Sequence, residues 1–365
     1  MANGFATLRT RFFVIPLVAI LLLAITWDRT LPWPILLGLG LVLVATVFVA
    51  VHHAEVVALR VGEPFGTLIL AVAVTIIEVG MIVILMIDNP DKTLDLARDT
   101  VFAAVMITMN GIIGGSLLIK TLKRRVANFK AEGAVGALAV LAALSVLSLV
   151  LPSFTTSSPG PTFTPVQLSF AAVTSLLLYL TFVAMQTVRH RDYFLPPARP
   201  NAVQSEAEHV PPPPKAVAWL SVAGLVVSLI AVVGLAKVSS PLIQGVVNDL
   251  GFPQMVVAVS IAMVVLLPES ISAFKAASFG RTQTSLNLAL GSALASIGLT
   301  IPAIAILSSV LGLKVNLGLG PTDIVFLLLT LLVAALTLIP GRATLLQGVV
   351  HLSIFGAFLM VVVMP

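Results

Sequence analysis

LILAVAVTIIEVGMIVILMI, Leu68 to Ile87, is an apolar run interrupted by a single charged side chain, Glu78. Coiled as a helix at about 1.5 Å per residue, such a run reaches about 30 Å, the thickness of a bilayer's hydrocarbon core. Runs of the same kind recur along the whole chain. The composition agrees, with 59% hydrophobic residues, 10% charged residues and a mean hydropathy of +1.12. A soluble domain with that composition could not keep a polar surface, so lipid must solvate most of the chain. There is no cysteine, which removes disulfides and thiolate metal sites. The net charge of +5 sits in the loops between apolar runs rather than on one basic face, so it reports topology and no nucleic-acid partner is implied.

Helical spans are predicted near residues 12–27, 33–52, 65–87, 99–120, 134–151 and 167–187, then 216–237, 253–278, 284–309, 322–339 and 343–363. The first follows Arg9 and Arg11 and has no small-residue cleavage site before Trp27, Asp28 and Arg29, so it reads as a retained helix. With about eleven helices alternating sides, an inside N-terminus gathers Arg60, Lys120, Lys123, Arg124, Arg125, Lys130, Arg189, Arg191, Lys215, Lys275, Arg281 and Arg342 on the cytoplasmic face. The outer face keeps Arg29, Lys92, Arg98, Lys237 and Lys314. That asymmetry predicts a multi-pass inner-membrane protein with its N-terminus in the cytoplasm and its C-terminus outside. The Pro-rich segment 189–215, with its run Pro211 to Pro214, predicts an extended cytoplasmic linker. The chain then divides into an N-terminal segment with a peripheral helix (1–32), a five-helix set (33–188), the linker, and a second five-helix set (216–365). Because each set holds an odd number of helices, the second is expected upside down relative to the first, as inverted repeats.

Glu269, in the run MVVAVSIAMVVLLPESISAFKAA (255–277), is the second carboxylate inside an apolar span. A charge at a helix centre costs about 2.5–3.5 kcal/mol on insertion scales, so Glu78 and Glu269 mark a functional site. Each lies in the second helix of its set, and inverted halves would bring the two together near the midplane. The helices that follow supply amides and hydroxyls, Thr108 and Asn110 in the first set, Asn287, Ser292, Ser296 and Thr300 in the second. Oxygen donors of this kind suit hard cations such as Ca2+ or Na+. Pro268, just before Glu269, can open the backbone ladder there. His351 lies within the last span, and His52, His53 and Glu55 form a cluster at the end of the second that reads as a solvated terminus rather than a metal site. The chain carries neither an H-E-x-x-H motif nor a phosphate-binding G-x-x-x-x-G-K-[ST] loop, which excludes a zinc protease of that type and a P-loop pump. No cofactor is implied, and transport must draw on an ion gradient. A cation-selective channel is the alternative, although its filter would place carboxylates in a ring across subunits.

These residues resemble the calcium/cation antiporter superfamily, in its cation/proton exchanger branch, over nearly the whole chain. The resemblance rests on His53-Ala54-Glu55 continuing to Gly62-Glu63-Pro64-Phe65-Gly66, on Ile77-Glu78-Val79, on Leu267-Pro268-Glu269, on Asn287-Leu288 running to Gly291-Ser292-Ala293-Leu294-Ala295, and on Gly341-Arg342. It implies two inverted repeats whose acids, by position Glu78 and Glu269, take cation and protons in turn, with Asn110 and Ser292 on the partner helices. The chain departs from the wider exchanger pattern where Val74-Thr75-Ile76-Ile77 and Val265-Leu266-Leu267-Pro268 replace a Gly-Asn motif before each acid. Ca2+, Na+ and K+ therefore all stand as expected cargo.

Overall fold

The computed structural model describes residues 2–62, 65–90, 93–196 and 212–365, with side chains from Phe12 onward. Eleven long helices account for the fold: α1 (Ala2–Thr26), α2 (Trp33–Val61), α3 (Phe65–Asp88), α4 (Leu96–Lys123), α5 (Ala131–Ser153), α6 (Pro165–Arg189), α7 (Lys215–Asp249), α8 (Met255–Ser278), α9 (Thr282–Leu311), α10 (Pro321–Leu338) and α11 (Leu345–Val363). Ten of them, α2 to α11, are long and apolar enough to cross a membrane, and α1 contributes a shorter apolar stretch, Phe12–Thr26. The protein is an all-α polytopic membrane protein.

Local chemistry explains where several helices begin and end. Proline stands at the first helical position of α6 and α10, where its missing N–H costs nothing. Thr164 and Gln167 form a reciprocal capping box at the start of α6, and Thr344 and Gln347 do the same for α11. Gly312 closes α9 in the left-handed region at φ 67°, its N–H bonded to Ser308 O.

Two helices outrun the predicted spans. α2 continues past residue 52 to Val61, because His52 and His53 are packed against α1 instead of ending in water. α7 continues past residue 237 through Pro241 to Asp249. The start of the predicted linker is also folded: Arg191–Phe194 forms a helical turn, and Phe194 packs edge-on against Phe182 at 5.9 Å. Residues 197–211 of that linker, and Glu63 and Pro64 of the quoted motif, lie outside the described residues.

Loop contacts sort the helix ends into two groups. At one end, Ala127 and Asn128 pair antiparallel with Ala343 and Arg342, Phe129 N–H donates to Gly341 O, and Lys130 N–H donates to Gln283 Oε1. At the other, Asn316 N–H donates to Leu94 O, Asn316 Nδ2 donates to Asp95 Oδ1 at 2.8 Å, and Ser153 Oγ donates to Leu319 O at 2.7 Å. Consecutive helices from α4 onward therefore alternate in direction. The helices pack around two apolar centres. One gathers α4, α5, α6, α8, α9, α10 and α11; the other gathers α1, α2, α3 and α7 with faces of α8 and α9. α2 lies along α7, α3 packs against α9, and α8 packs against α4.

Candidate functional site

Glu78 lies near the middle of α3 on the face turned to α9, and only 1% of its surface is exposed. Ser296 and Thr300 stand one turn apart on α9, so their hydroxyls project from one face. Both donate to Glu78 Oε2, each at 3.1 Å. The other oxygen, Oε1, is buried and has no protein partner. Glu269, on α8 immediately after Pro268, is half-buried, and its Oε2 is likewise buried without a partner. The two carboxylates are near enough for the charge of Glu269 to act on Glu78, while Glu55 on α2 stands near enough to act on Glu269. The surroundings of the pair are unequal. Glu78 is held by two hydroxyls from the opposite half of the chain, and Glu269 keeps a buried oxygen without a partner.

Toward the other end, a cavity of about 40 Å3 separates α3 and α8 from α7. Leu43, Met81, Leu85, Ile261 and Val264 make its walls almost wholly apolar, and Ser239 Oγ is buried there without a partner. Met81 and Leu85 follow Glu78 by one and two turns on the same helical face, so the wall of this cavity continues the face that carries the acid.

The remaining polar residues singled out in the sequence are engaged elsewhere. Thr108 Oγ1 donates back to Ala104 O at 2.7 Å within its own helix. Asn110 sits in a π-helical turn, Ile107–Ile112, and points away from the acids: its Nδ2 donates to Thr330 Oγ1 at 2.8 Å and its Oδ1 faces His351. Asn287 Nδ2 donates to Phe194 O at 2.7 Å and its Oδ1 accepts from Gln283, fastening the start of the linker to α9. Ser292 is half-buried one turn before Ser296. Two of the residues singled out, Ser296 and Thr300, meet a carboxylate. The latter's partnership with Glu78 is legible only in the i, i+4 spacing it shares with Ser296. His52 stacks on Phe12 at 3.9 Å, and His53 Nε2 donates to Phe12 O at 3.2 Å, so this pair holds α1. Among the described residues no group of three or more His, Cys, Asp or Glu side chains is arranged to hold a resident metal.

Two carboxylates inside a bundle of apolar helices, one buried and one half-buried, each with an oxygen left without a partner, are groups of the kind that membrane transporters use for cations or protons. The chain belongs to the sodium/calcium exchanger protein family, whose model matches residues 30–188 and 220–364, and with it to the calcium/cation antiporter superfamily of secondary transporters. A putative ionic transporter, y4hA, of Sinorhizobium fredii is 47% identical over 97% of this chain and 96% of its own length. The sodium-potassium/proton antiporter ChaA of Escherichia coli is 28% identical over 99% of this chain and 100% of its own. Among solved structures, native YfkE superposes with a TM-score of 0.72 at 16% identity, covering 97% of this chain and 100% of that one. The H+/Ca2+ exchanger CAX superposes with a TM-score of 0.70 at 15% identity, covering 99% of this chain and 89% of that one. These likenesses extend over both five-helix sets and establish a cation exchanger fold.

Proposed function

We propose that the protein is a secondary active cation/proton antiporter that exports Ca2+, with Na+ and K+ as the other candidate cargo, in exchange for H+. Glu78 and Glu269 form its shared site, opened to each side in turn and holding either cation or protons. The observation that carries this reading is the open, buried oxygen on each carboxylate. Such an oxygen is a ligand position for a hard cation, and the same atom takes a proton when the cation leaves. The Ser296 and Thr300 hydroxyls add further oxygens beside Glu78.

Charge arithmetic sets the coupling. Ca2+ neutralises two ionised carboxylates, whereas Na+ or K+ leaves one negative charge for a retained proton. The names of ChaA and CAX name both kinds of cargo. The packing supports two inverted repeats: exchanging α2–α6 with α7–α11 turns the α3–α9 contact into the α8–α4 contact, and the α6–α9 contact into the α11–α4 contact. Relating the halves in this way puts the two acids at equivalent positions. The excess of Lys and Arg in one set of loops supports an orientation with the N-terminus in the cytoplasm, and with it a location in a bacterial inner membrane.

Proteoliposomes with an imposed pH gradient test the reading with Ca2+, Na+ and K+ in turn. Saturable exchange that needs the gradient, lost in Glu78→Gln and in Glu269→Gln, is the expected result. Ion flux without proton counter-flow would instead indicate a channel, and persistent exchange in either variant would reject the site.

A further inference from the structure

His351 is a fully buried titratable residue to which the exchange reading gives no part. Both of its ring nitrogens are bonded, Nδ1 at 3.0 Å from Asn110 Oδ1 and Nε2 at 3.1 Å from Thr337 Oγ1. The direction of each bond follows from the far end of the chain of contacts. Met106 Sδ can only accept, so Thr330 donates to it, at 3.4 Å. The Thr330 oxygen then accepts from Asn110 Nδ2, which turns Asn110 Oδ1 toward the imidazole. Nδ1 must therefore carry a hydrogen and donate it; with the ring fully buried and no charged group bonded to it, the neutral form is favoured, and in that form Nε2 accepts from the Thr337 hydroxyl. Met106, Thr330, Asn110, His351 and Thr337 thus form a closed line in which the imidazole is neutral. Among the described residues no charged group bonds to any of them.

The line fastens one helix to two others. Asn110 belongs to the π-helical turn of α4, Thr330 and Thr337 to α10, and His351 to α11. Backbones come close beside it. A Cβ on Gly114 would stand 2.9 Å from His351 Cβ, and one on Gly348 would stand 2.9 Å from Leu118 N. On an adjoining face α4 packs along α8: a Cβ on Gly115 would meet Phe274, about one turn beyond Glu269, at 2.8 Å. A shift of the π turn would be passed through this packing to the helix that carries the acid.

We propose that His351 is a positioning residue for exchange: its neutral imidazole clamps Asn110 and the π turn of α4 onto α10 and α11, and so sets where α4 stands behind Glu269. The proposal rests on the exchange reading above. It assigns His351 no proton to carry and Asn110 no cation to bind in this arrangement.

Two near-isosteric substitutions divide the ring's bonds between them. An Asn side chain places its amide nitrogen about where Nδ1 lies, and a Gln side chain places its amide about where Nε2 lies. His351→Asn should keep the bond to Asn110 and His351→Gln should lose it. The full-length protein in proteoliposomes, with Ca2+, Na+ and K+ assayed separately under an imposed pH gradient, reads the difference. Expected are an apparent KM for the cation raised about tenfold in His351→Gln with kcat much less affected, and a KM within about twofold of wild type in His351→Asn and Thr337→Val. The pH profile of His351→Asn should follow that of wild type. Should the Gln variant fail to fold, Asn110→Ala breaks the same bond from the other side and should raise KM alike.

An unchanged KM in whichever of those two variants folds would overturn the proposal, as would an Asn variant as impaired as the Gln variant. A limb missing from the pH profile of His351→Asn would make the residue a proton carrier instead. Wild type without exchange of any of the three ions would sink the exchange reading itself, and this proposal with it.

Discussion

Ser296 and Thr300, one helical turn apart on α9, donate to the same oxygen of Glu78, each at 3.1 Å. They hold that oxygen in one place and leave its neighbour, Oε1, open. Hydrogen bonds to a charged group are worth about 1.5–3 kcal/mol each. Removing both in Ser296→Ala/Thr300→Val should weaken the apparent affinity for cation by at least about tenfold while the protein still folds. Flux titrations in proteoliposomes check this, and an unchanged KM would show that the hydroxyls do not serve the site.

In the proposed exchange, competition for one pair of acids fixes the sign of the pH dependence. Protons on the cation-loading side should raise the apparent KM for the cation and leave the maximal rate at saturating cation nearly unchanged. The rise should approach about tenfold per pH unit for each competing proton at pH values below the one at which that proton titrates. Initial rates measured across a series of pH values on the loading side test it; a KM independent of pH would mean that proton and cation use separate sites.

Arg98 ties the start of α4 to the loop before α10. Its guanidinium bonds Asp99 at 2.8 Å and Gly318 O at 2.9 Å and lies 3.2 Å from Asp95. Asp99 is 6% exposed, so Arg98→Ala leaves a nearly buried carboxylate without its partner. Breaking a buried pair from one side costs about 3–5 kcal/mol, and a clear drop in Tm of the detergent-solubilised protein is expected. Arg98→Lys should recover part of the loss. By contrast Lys237→Ala, which removes a pair with the exposed Asp28 and a contact with the Trp27 ring at 4.5 Å, should lower Tm by less.

Gly348 is a packing requirement. An added Cβ would lie 2.9 Å from the Leu118 backbone nitrogen and 3.2 Å from Gly114 O, and neither can swing aside as a side-chain tip would. Gly348→Ala should therefore cost about 1–3 kcal/mol by forcing α4 and α11 apart, seen as a lower Tm. A Tm equal to wild type would mean that the two helices have room to part.

The number and order of the spans were legible because a charge-poor run of about twenty residues has one physical use. Their ends were less so. His52, His53 and Glu55 read as a solvated terminus, yet α2 runs on to Val61 because Phe12 and Phe13 of α1 lie against the two imidazoles. Glu78 and Glu269 stood out by their cost in lipid, and the spacing of Ser296 and Thr300 placed them on one face. Which acid that face meets depends on how α3 and α9 cross, and no periodicity carries that. Asn110 was harder still. The π-helical turn adds a residue to the helical repeat and swings the side chains that follow it, and the partner, His351, lies 241 residues away.

The antiparallel pairing of Ala127 with Ala343 and of Asn128 with Arg342 joins the turn between α4 and α5 to the turn between α10 and α11. Stitched at that rim, the four helices are bound to travel together as a single frame. In the proposed exchange, a road to the acids would then open by movement of the elements left outside the stitch, sliding over this frame.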